Sequence, residues 1–441
     1  MTALNIFWFR RDLRLFDNAG LYHALKAGLP VLPVFVFDRN ILDLLENKKD
    51  GRVEFIYDSV RSLQKELAAL ASSIFTFYGT PLEMFGELAG GYDIKHVFTN
   101  EDYEPSAIAR DVEIEKWLKQ RGIGFTTYKD QVIFSKKELL KDDGLPYAVF
   151  TPYGKKWKKL LEEREGFYLK SYPVEKYFSN LFKGPPQEIP DLSSLGFSRT
   201  GRKIPSAVID PSLISDYAAS RDFPGLDATS HLGVHLRFGT ISIRRLVAEA
   251  KKLSEKFLDE LIWRDFYQMI LFHFPAVGSG HSFKPEYERI PWRNNEKEFE
   301  LWCEGKTGYP LVDAGMRQIN ETGFMHNRVR MVVASFLTKH LLVDWRWGEA
   351  YFAGRLLDFE FASNNGGWQW AAGSGCDAAP YFRIFNPMIQ QKKFDPEGTY
   401  INKWLPELRQ PSTVNRPPIV DHAYARDRAI KVYKAALTGS K

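Results

Sequence analysis

Short apolar runs alternate with helical patterns along the first 130 residues. The apolar runs predict buried strands at Leu4–Phe9, Val31–Phe37, Ser73–Tyr78, His96–Thr99 and Gly124–Tyr128. Amphipathic stretches with helical spacing separate them, as at Gly51–Leu70 and Ser106–Gln120. Strands that alternate with helices predict a doubly wound parallel α/β domain, Rossmann-like in architecture, over residues 1–130. No GxGxxG fingerprint follows the first predicted strand, which speaks against the usual kind of dinucleotide site there.

The pattern changes twice further along the chain. Residues 131–205 are rich in Pro, Ser and Gly, and they predict a long connector that wraps the surface and is anchored by its aromatic side chains. From residue 206 to residue 441 strand signals disappear, and helical patterns occupy Lys256–Phe272, Tyr309–Thr322 and Asn327–His340. The second half is therefore predicted to be one all-helical domain.

The segment Asn364–Trp370 packs two asparagines, two glycines and two tryptophans into seven residues. If this segment is helical, Asn364 and Trp368 lie four apart on one face. Trp370 then lies about 200° around the helix from Trp368 and points elsewhere. One short helix could in this way serve two cavities. The alternative is a buried aromatic helix that merely tolerates two glycines.

The composition is that of a globular protein with many aromatic residues. Aromatic residues make up 15% of the chain, which suits stacking on a planar cofactor or on bases, although large cores also absorb aromatics. A hydrophobic content of 44% is that of a soluble globular protein, and no apolar run is long enough to span a membrane. The formal net charge of +5 permits nucleic-acid binding through a local basic patch without demanding it.

Cysteine use points to a reducing environment. Cys303 and Cys376 have neither metal-ligand spacing nor the spacing of a disulfide framework, so no metal site is predicted. A cytoplasmic location is the natural inference. The N-terminal residues show no long apolar stretch and no small-residue cleavage site, so no secretory leader is predicted.

Polar residues in the helical half are candidates for chemistry. Thr229 and Ser230 open an apolar segment, where hydroxyls and free backbone N–H groups suit a phosphate or form an ordinary N-cap. Two further groups each share a helix face by their spacing: Glu260, Trp263 and Tyr267 in one, and Asn327, Arg330 and Met331 in the other. For these groups the alternative is an amphipathic helix whose polar side chains are solvated.

These segments together resemble the photolyase and cryptochrome flavoprotein family. The resemblance extends to Leu408 and is carried by the following motifs, in order: FWFRRDLRLFDN, EGKTGYPLVDAGMRQ, MHNRVRM, NNGGWQW, DAAPYFRIFNP and WLPEL. It implies FAD bound without covalent attachment in the helical domain and active in its fully reduced form. It also implies a hole in a basic surface that admits a flipped-out pyrimidine dimer, as is general for photolyases.

The resemblance implies cofactor contacts at the matching positions, which are Tyr217, Thr229, Ser230, Leu232, Trp263, Arg264, Arg330, Asp358, Glu360 and Asn364. Asn364 takes the position that faces the flavin N5, where a neutral amide can hydrogen-bond to reduced flavin. Arg330 and Asp358 resemble an ion pair that flanks the ring. Glu360 stands where the family commonly has Asp, which leaves the contact of this carboxylate open.

Substrate contacts are implied in the same way for Glu260, Trp263, Asn327, Arg328, Met331 and Trp370. Trp263 and Trp370 resemble the aromatic walls that embrace the dimer. In the implied mechanism, light-excited reduced flavin passes an electron to the dimer, the cyclobutane bonds split and the electron returns. Glu260 would stabilise the dimer radical anion. Trp368, Trp345 and Trp292 match the chain of tryptophans that re-reduces oxidised flavin, and they complete the catalytic set with Glu260 and Asn364.

Single positions separate the activities within the family. Six-four photolyases typically carry His at the positions of Asn327 and Met331, and plant-type signalling cryptochromes usually have Asp at that of Asn364. Members confined largely to single-stranded DNA often have Tyr in place of Trp370. The resemblance therefore implies a class I cyclobutane pyrimidine dimer photolyase, a carbon–carbon lyase that acts on DNA. We expect a monomer. The alternatives are a non-enzymatic blue-light receptor and, less favoured, a six-four photolyase.

The sequence does not identify the chromophore of a light-harvesting antenna. Folate-binding relatives carry an Asn-Glu pair that aligns with Ser106 and Ala107, and the loop around Gly278–His281 lacks their partnering Lys. A folate antenna is therefore not favoured. A deazaflavin, a second flavin or an empty cleft stay open.

Overall fold

The computed structural model describes residues 2–409 and 416–438. The chain forms two compact units, each built from several stretches of sequence. The first unit comprises Met1–Glu138, Lys158–Ile209 and His231–Glu249, and the second comprises Leu139–Trp157, Asp210–Ser230 and Ala250–Lys441. Residues 139–157 of the predicted connector belong to the second unit and its remaining residues to the first.

A parallel five-stranded sheet forms the core of the first unit. Its strands are β1 Ala3–Phe9, β2 Val31–Asp38, β3 Phe75–Gly79, β4 Asp93–Asn100 and β5 Gly124–Tyr128. The strand order is β3-β2-β1-β4-β5, so the chain winds outward from β1 in both directions. All eight residues of β2 are buried, as expected for a parallel sheet covered by helices on both faces. The predicted doubly wound sheet is confirmed.

Helices make up most of the remaining chain. Within the described ranges the α-helices are, in chain order, α1 Ala19–Lys26, α2 Arg39–Leu42, α3 Gly51–Ala69, α4 Pro81–Gly91, α5 Pro105–Lys119, α6 Phe150–Glu163, α7 Glu165–Tyr168, α8 Pro211–Ser220, α9 Gly233–Phe238, α10 Ile243–Leu253, α11 Glu255–His273, α12 Glu296–Cys303, α13 Pro310–Thr322, α14 Asn327–Ser335, α15 Trp345–Arg355, α16 Phe361–Ala372, α17 Pro387–Phe394, α18 Thr399–Trp404 and α19 His422–Thr438. The predicted helices at α3, α5, α11 and α13 are confirmed to within one or two residues. The predicted helix Asn327–His340 is α14 followed by the π-helical turn Phe336–His340.

Local sequence explains where several of these helices begin. The Thr80 side chain accepts from the Glu83 backbone and the Glu83 side chain accepts from the Thr80 backbone, which forms a capping box at the start of α4. Pro81 occupies the first turn, where no backbone N–H is needed. The side chain of Asn18 caps α1 and that of Asp50 caps α3 in a similar way.

A buried ion-pair cluster ties the segment His231–Glu249 into the first unit. Arg14 donates to Asp130 at 2.7 Å, and Arg244 donates to Asp130 at 2.8 Å and to Asp17. Burial alone would raise the pKa of Asp130, but the two guanidinium groups hold that pKa below its ordinary value. The cluster therefore joins parts of the first unit that are far apart in sequence.

The second unit is helical throughout the described residues. Its main apolar cluster includes the indoles of Trp302, Trp345 and Trp368, each at most 2% exposed. Trp157, which belongs to the predicted connector, is also fully buried here and donates from Nε1 to Asp265 at 3.0 Å. Across residues 2–409 and 416–438, no helix combines the length and the apolar composition that crossing a membrane requires.

Candidate active site

The second unit contains a cavity of about 400 Å³. Helices α11, α14 and α16 supply most of its wall, and the segment between α15 and α16 adds to it. The lining residues are Arg221, Glu260, Trp263, Arg264, Tyr267, Asn327, Arg330, Met331, Ala334, Phe352, Leu356, Asp358, Phe359, Glu360, Ser363, Asn364, Gly367, Trp368 and Trp370. A cavity of this size lies in the range of sites for small molecules and cofactors.

Helix α11 presents one face to the cavity. Glu260, Trp263, Arg264 and Tyr267 all line it, with the i, i+3, i+4 and i+7 spacing of a single helix face. Ser254 caps this helix by accepting from the Phe257 backbone. The spacing read from the sequence therefore brings these side chains to the same space.

Arg264 and Glu360 form a buried pair in the cavity wall. Arg264 Nη2 lies 2.7 Å from Glu360 Oε1, and both side chains are less than a tenth exposed. The Ser363 hydroxyl donates to the other carboxylate oxygen at 3.1 Å. The contact that the sequence left open for Glu360 is thus with Arg264 and Ser363. The Glu side chain, which is one methylene longer than the Asp common in the family, reaches the Arg264 guanidinium.

Helix α14 supplies a second ion pair. Arg330 donates from Nη2 to both carboxylate oxygens of Asp358, at 2.9 and 3.1 Å, and from Nε to the Met325 carbonyl at 2.7 Å. Asn327 and Met331 line the cavity beside Arg330. Arg328 is not among the lining residues. Its guanidinium donates instead to Asp222 at 2.7 Å.

Two glycines let α16 approach its neighbours closely. A Cβ atom on Gly366 would lie 2.2 Å from the Tyr267 ring on α11, and one on Gly348 would lie 2.1 Å from the Trp368 ring. These distances are far shorter than any real Cβ contact, so a side chain at either position would force the helices apart. Gly366 on α16 and Gly348 on α15 are therefore required by packing.

Trp368 and Trp370 both line the one cavity, together with Asn364. The prediction that α16 serves two cavities is therefore wrong. By their spacing the two indoles leave the helix in different directions, yet both line this cavity. Trp368 is buried at 2% exposure, whereas Trp370 is partly exposed and lies near Phe385.

The Asn364 amide is held from the neighbouring helix. Its Nδ2 donates to the backbone carbonyl of Glu349 and to Glu349 Oε1, both at 3.1 Å. Burial raises the pKa of the Glu349 carboxyl above its ordinary value. Sequence spacing gave no signal for Glu349, because it reaches Asn364 only through the packing of α15 against α16.

The three tryptophans of the expected relay share one apolar cluster. Trp345 and Trp368 are buried members of this cluster, and Trp292 packs against it while partly exposed. The Trp292 ring also meets the Tyr433 ring edge to face at 5.9 Å. The fold thus brings Trp292, Trp345 and Trp368, which are far apart in the sequence, to the same apolar cluster.

Glu260 and Arg221 place an ion pair in the cavity wall. The Arg221 guanidinium lies 5.2 Å from the centre of the Tyr217 ring. Desolvation and the Glu260 charge raise the pKa of Tyr217 above its ordinary range. Sequence reasoning did not single out Arg221, although it lines the cavity.

Four of the expected cofactor contacts do not line this cavity: Tyr217, Thr229, Ser230 and Leu232. The expected N-cap role of Thr229 or Ser230 is also not what the structure has. Helix α9 begins at Gly233, and Leu232 stands at its N-cap position without a side-chain hydrogen bond. Thr229 and Ser230 do not occupy the N-cap position, because the first helical residue is Gly233.

Phe150 is the main residue that sequence reasoning missed. Its ring stacks on Trp263 with centroids 3.7 Å apart and planes within 4°. The Asp377 carboxylate accepts from the Phe150 backbone N–H at 3.1 Å. The only signal in the sequence was the aromatic content of the connector, which does not specify a partner.

Two family models match this chain. Residues 5–170 match the model described as DNA photolyase. Residues 257–416 match the model described as FAD binding domain of DNA photolyase, and this stretch contains most of the cavity wall.

Relatives match over nearly the full length. A deoxyribodipyrimidine photo-lyase of Vibrio cholerae is 36% identical over 98% of this chain and all of its own length. Among solved structures, a class III photolyase from Agrobacterium tumefaciens matches with a TM-score of 0.86 and 31% identity, over 99% of this chain and 98% of its own. An archaeal photolyase from Sulfolobus tokodaii, solved with two FAD molecules, matches with a TM-score of 0.80 and 35% identity, over 98% of this chain and 99% of its own.

Proposed function

Because this chain belongs to the photolyase and cryptochrome family, we propose that it uses light to repair cyclobutane pyrimidine dimers in DNA. The observation that carries the proposal is one cavity lined by the indoles of Trp263 and Trp370, the Asn364 amide and the Arg330–Asp358 ion pair. Indole faces suit a pair of pyrimidines, because stacking needs no particular base. The polar wall suits a flavin.

The donor set of the cavity fits FAD. Arg330 and Arg264 each keep a carboxylate partner, so the wall carries charge that is balanced before any ligand enters. Ion pairs that are already formed hold their side chains in place, which reduces the ordering cost of binding. When bound in its reduced form and excited by light, FAD supplies the electron that opens the dimer and receives it again afterwards.

The indoles would hold the dimer on its aromatic faces. Trp263 is backed by the parallel Phe150 ring, so its orientation is set before substrate arrives. Trp370 is partly exposed and free to meet a base that enters from solvent. Loss of one such stacking partner generally costs about 1–3 kcal/mol per base.

Glu260 and Arg221 would act together on the dimer carbonyls. Glu260 is paired with Arg221, and both line the cavity. The carboxylate keeps the guanidinium at the wall, where its N–H groups can donate to a carbonyl whose charge grows when the dimer accepts an electron. Arg221 therefore joins the proposed substrate set, with Glu260 holding it in position.

Asn327 and Met331 favour cyclobutane dimers over six-four photoproducts. Both line the cavity, and neither side chain can give or take a proton near neutral pH. Splitting a cyclobutane ring by electron transfer requires no such proton, whereas six-four repair requires one. Asn327 and Met331 are therefore better suited to the repair of cyclobutane dimers than to the repair of six-four photoproducts.

The test compares the two lesions on matched DNA. Fully reduced protein should restore a thymine dimer in an oligonucleotide under blue light, and not in the dark, while an identical oligonucleotide with a six-four photoproduct stays unchanged. Chromatography of the digested DNA reports both products. Light-dependent repair of the six-four lesion, or no repair of either lesion, would overturn the proposal, and the second result would favour a blue-light receptor.

A further inference from the structure

Two histidines meet where helix α19 packs on the π-helical turn Phe336–His340. Nε2 of His340 lies 2.8 Å from Nδ1 of His422, which is the first residue of α19. His340 is fully buried, and its ring also stacks on the Phe336 ring with centroids 4.8 Å apart. We refer to His340 and His422 together as the histidine pair.

One hydrogen lies between the two facing nitrogens, since a neutral imidazole has one N–H and one acceptor nitrogen. The other nitrogen of His340, Nδ1, is buried and has no hydrogen-bond partner among the residues that the structure describes. We therefore assign the hydrogen to His340 Nε2, because this leaves a lone pair rather than an N–H without a partner in the interior. His340 then donates and His422 accepts.

An added proton has no favourable place in the histidine pair. On His340 it would go to Nδ1 and create a buried N–H that no described residue accepts. On His422 it would go to Nδ1 and set two N–H groups against each other at 2.8 Å. Desolvation, with the charges of His422 and Arg428, lowers the pKa of His340 to about 3. The docked helix therefore requires both rings to be neutral.

The neighbouring groups do not relieve this requirement. The charged and titratable groups around the histidine pair are Asp421, Arg426 and Arg428 from α19 and the residue before it, Lys339 from the π-helical turn and Tyr309 from the start of α13. Arg426 and Arg428 are cations, so an added proton would meet further positive charge. The Tyr309 hydroxyl donates to the Val420 carbonyl at 2.8 Å, and the carboxylate of Asp421 belongs to an exposed residue.

Helix α19 has few other buried contacts. Its 17 residues include three buried ones, which are Ala425, Ala429 and Tyr433. Arg428 donates to the backbone carbonyl of His340, which adds a second contact beside the histidine pair. An element with little buried apolar surface opens locally at a lower free energy than the core. Loss of the histidine pair should therefore release α19 before the unit unfolds.

Helix α19 also covers one side of Trp292. The Tyr433 ring is fully buried and meets the Trp292 ring edge to face, with centroids 5.9 Å apart. Nζ of Lys339 lies 3.6 Å from the centre of the same Tyr433 ring and donates to the Ala372 carbonyl at 2.8 Å. Trp292 is partly exposed already, so departure of Tyr433 would expose more of its ring.

We propose that the histidine pair is a pH-sensitive contact that holds α19 in place at neutral pH, releases it on acidification and so uncovers Trp292. The release requires neither flavin nor DNA, so it can be tested apart from the proposed function. Its consequence for light-driven reduction, which is easier access of an external reductant to the expected relay, rests on the proposed function.

Amide hydrogen exchange at pH 7 and pH 5 tests the release. A free histidine with a pKa of about 6.5 is about three-quarters neutral at pH 7 and about 3% neutral at pH 5. Because the docked helix requires a neutral His340, the equilibrium for release should rise by at least about 25-fold between these pH values. Protection in peptides from residues 422–438, corrected for the intrinsic exchange rate, should fall by that factor. Peptides from α11 report unfolding of the whole unit and should change less.

His340→Gln removes the buried titrating group and keeps a hydrogen bond. Its amide nitrogen can donate to neutral His422, and after rotation its oxygen can accept from protonated His422. Protection of α19 in this variant should therefore stay nearly equal at pH 7 and pH 5. The matched control is His281→Asn, which changes an exposed histidine of the same unit and should lose protection as the original protein does.

Hydroxyl-radical footprinting of the same samples follows Trp292, whose oxidation should increase at pH 5 in the original protein and not in His340→Gln. Unchanged protection of α19 in the original protein, or an equal loss of protection in α11, would overturn the proposal. An equal loss in His340→Gln would also overturn it and would assign the pH dependence to Lys339. Release of α19 without greater oxidation of Trp292 would refute the covering of Trp292.

Should His340→Gln fail to fold, the imidazole NMR signals of the original protein, labelled at histidine, supply a second test. The proposal requires that the ring of His340 stays neutral down to pH 5 while α19 is docked. Protonation of the docked His340 at pH 5 or above would overturn it.

Discussion

At the scale of single residues, the cavity wall divides into side chains with fixed partners and side chains that are free to meet a ligand. Arg264, Arg330 and Asn364 each have a protein partner at 3.1 Å or less. Trp370 is partly exposed, and its ring centre lies 6.4 Å from that of Phe385. Substitution of Trp370 therefore has the clearest expected effect on substrate.

Trp370→Ala should weaken binding of dimer-containing DNA by about tenfold to a hundredfold, because one stacking contact is worth about 1–3 kcal/mol. Titration of a fluorescent oligonucleotide in the dark measures this directly. Trp370→Phe keeps an aromatic face and should retain most of the affinity. Equal affinity of the Ala variant and the original protein would remove Trp370 from the substrate site.

Trp292→Phe should slow reduction of the bound flavin under blue light with an external reductant. Trp292 is the partly exposed member of the expected relay, and phenylalanine is much harder to oxidise. Repair by protein that has been reduced chemically should stay nearly unchanged. Absorption spectra taken during illumination follow the flavin. Trp347→Phe is the matched control, since Trp347 packs against the same cluster and lies outside the expected relay.

At the scale of one element, α16 carries adjacent glycines with opposite surroundings. A Cβ on Gly366 would meet the Tyr267 ring at 2.2 Å, whereas one on Gly367 would meet nothing within 4 Å. Gly367 lines the cavity. The first glycine therefore serves packing, and the second leaves the cavity open.

Gly366→Ala should lower the free energy of unfolding by about 1–3 kcal/mol, because the new methyl overpacks the contact between α11 and α16. Gly367→Ala should leave stability equal or slightly higher, because Ala is the better helix former. Urea unfolding measures both variants. A lower free energy of unfolding for the Gly367 variant than for the Gly366 variant would contradict these roles of the two glycines.

At the scale of the whole molecule, the buried cluster of Arg14, Asp130 and Arg244 ties distant segments together. The pKa of Asp130 is depressed in the folded protein, so this group contributes stability above its unfolded pKa of about 3.9. That contribution is lost as the pH falls from about 4 toward the lower folded pKa. The free energy of unfolding should therefore drop on acidification below about pH 4.

Arg244→Met should lower the free energy of unfolding by about 3–5 kcal/mol at pH 7, since it leaves buried carboxylates short of a partner. Its loss of stability with acid should be shallower, because the pKa of Asp130 is then less depressed. Denaturant titrations at pH 7 and at about pH 3, below the unfolded pKa of the carboxyl, give both quantities. Arg39→Met, which removes an ion pair with Asp43 that is half exposed, should cost less than about 1 kcal/mol. Similar losses for the two variants would refute this account.

Much of the fold followed from local patterns. The five strands were predicted because each buried run is short, apolar and bounded by turn residues, and β5 was placed to the residue. Helices α11 and α13 followed from their spacing in the same way. The predicted helix Asn327–His340 has the right bounds, but its backbone is π-helical from Phe336 onward. That change depends on packing and leaves the apolar pattern intact, so the pattern gave no signal for it.

In the candidate site, too, the features that depend on local sequence were the ones that could be predicted. Spacing along one helix was enough to group Glu260 with Trp263 and Asn327 with Met331, because neighbours on a helix face stay neighbours in any fold. Motifs in their order were enough to identify the family. These properties belong to the sequence itself, since they depend only on local geometry and residue type.

Contacts between elements were decided by the tertiary structure alone. Phe150 on Trp263, Glu349 on Asn364 and Arg221 on Glu260 join residues that are 15 to 113 positions apart. The same holds for the single cavity that receives both Trp368 and Trp370. A one-dimensional pattern sets the direction in which a side chain leaves its own helix. The element it meets there depends on how helices pack, and the packing is a property of the whole unit.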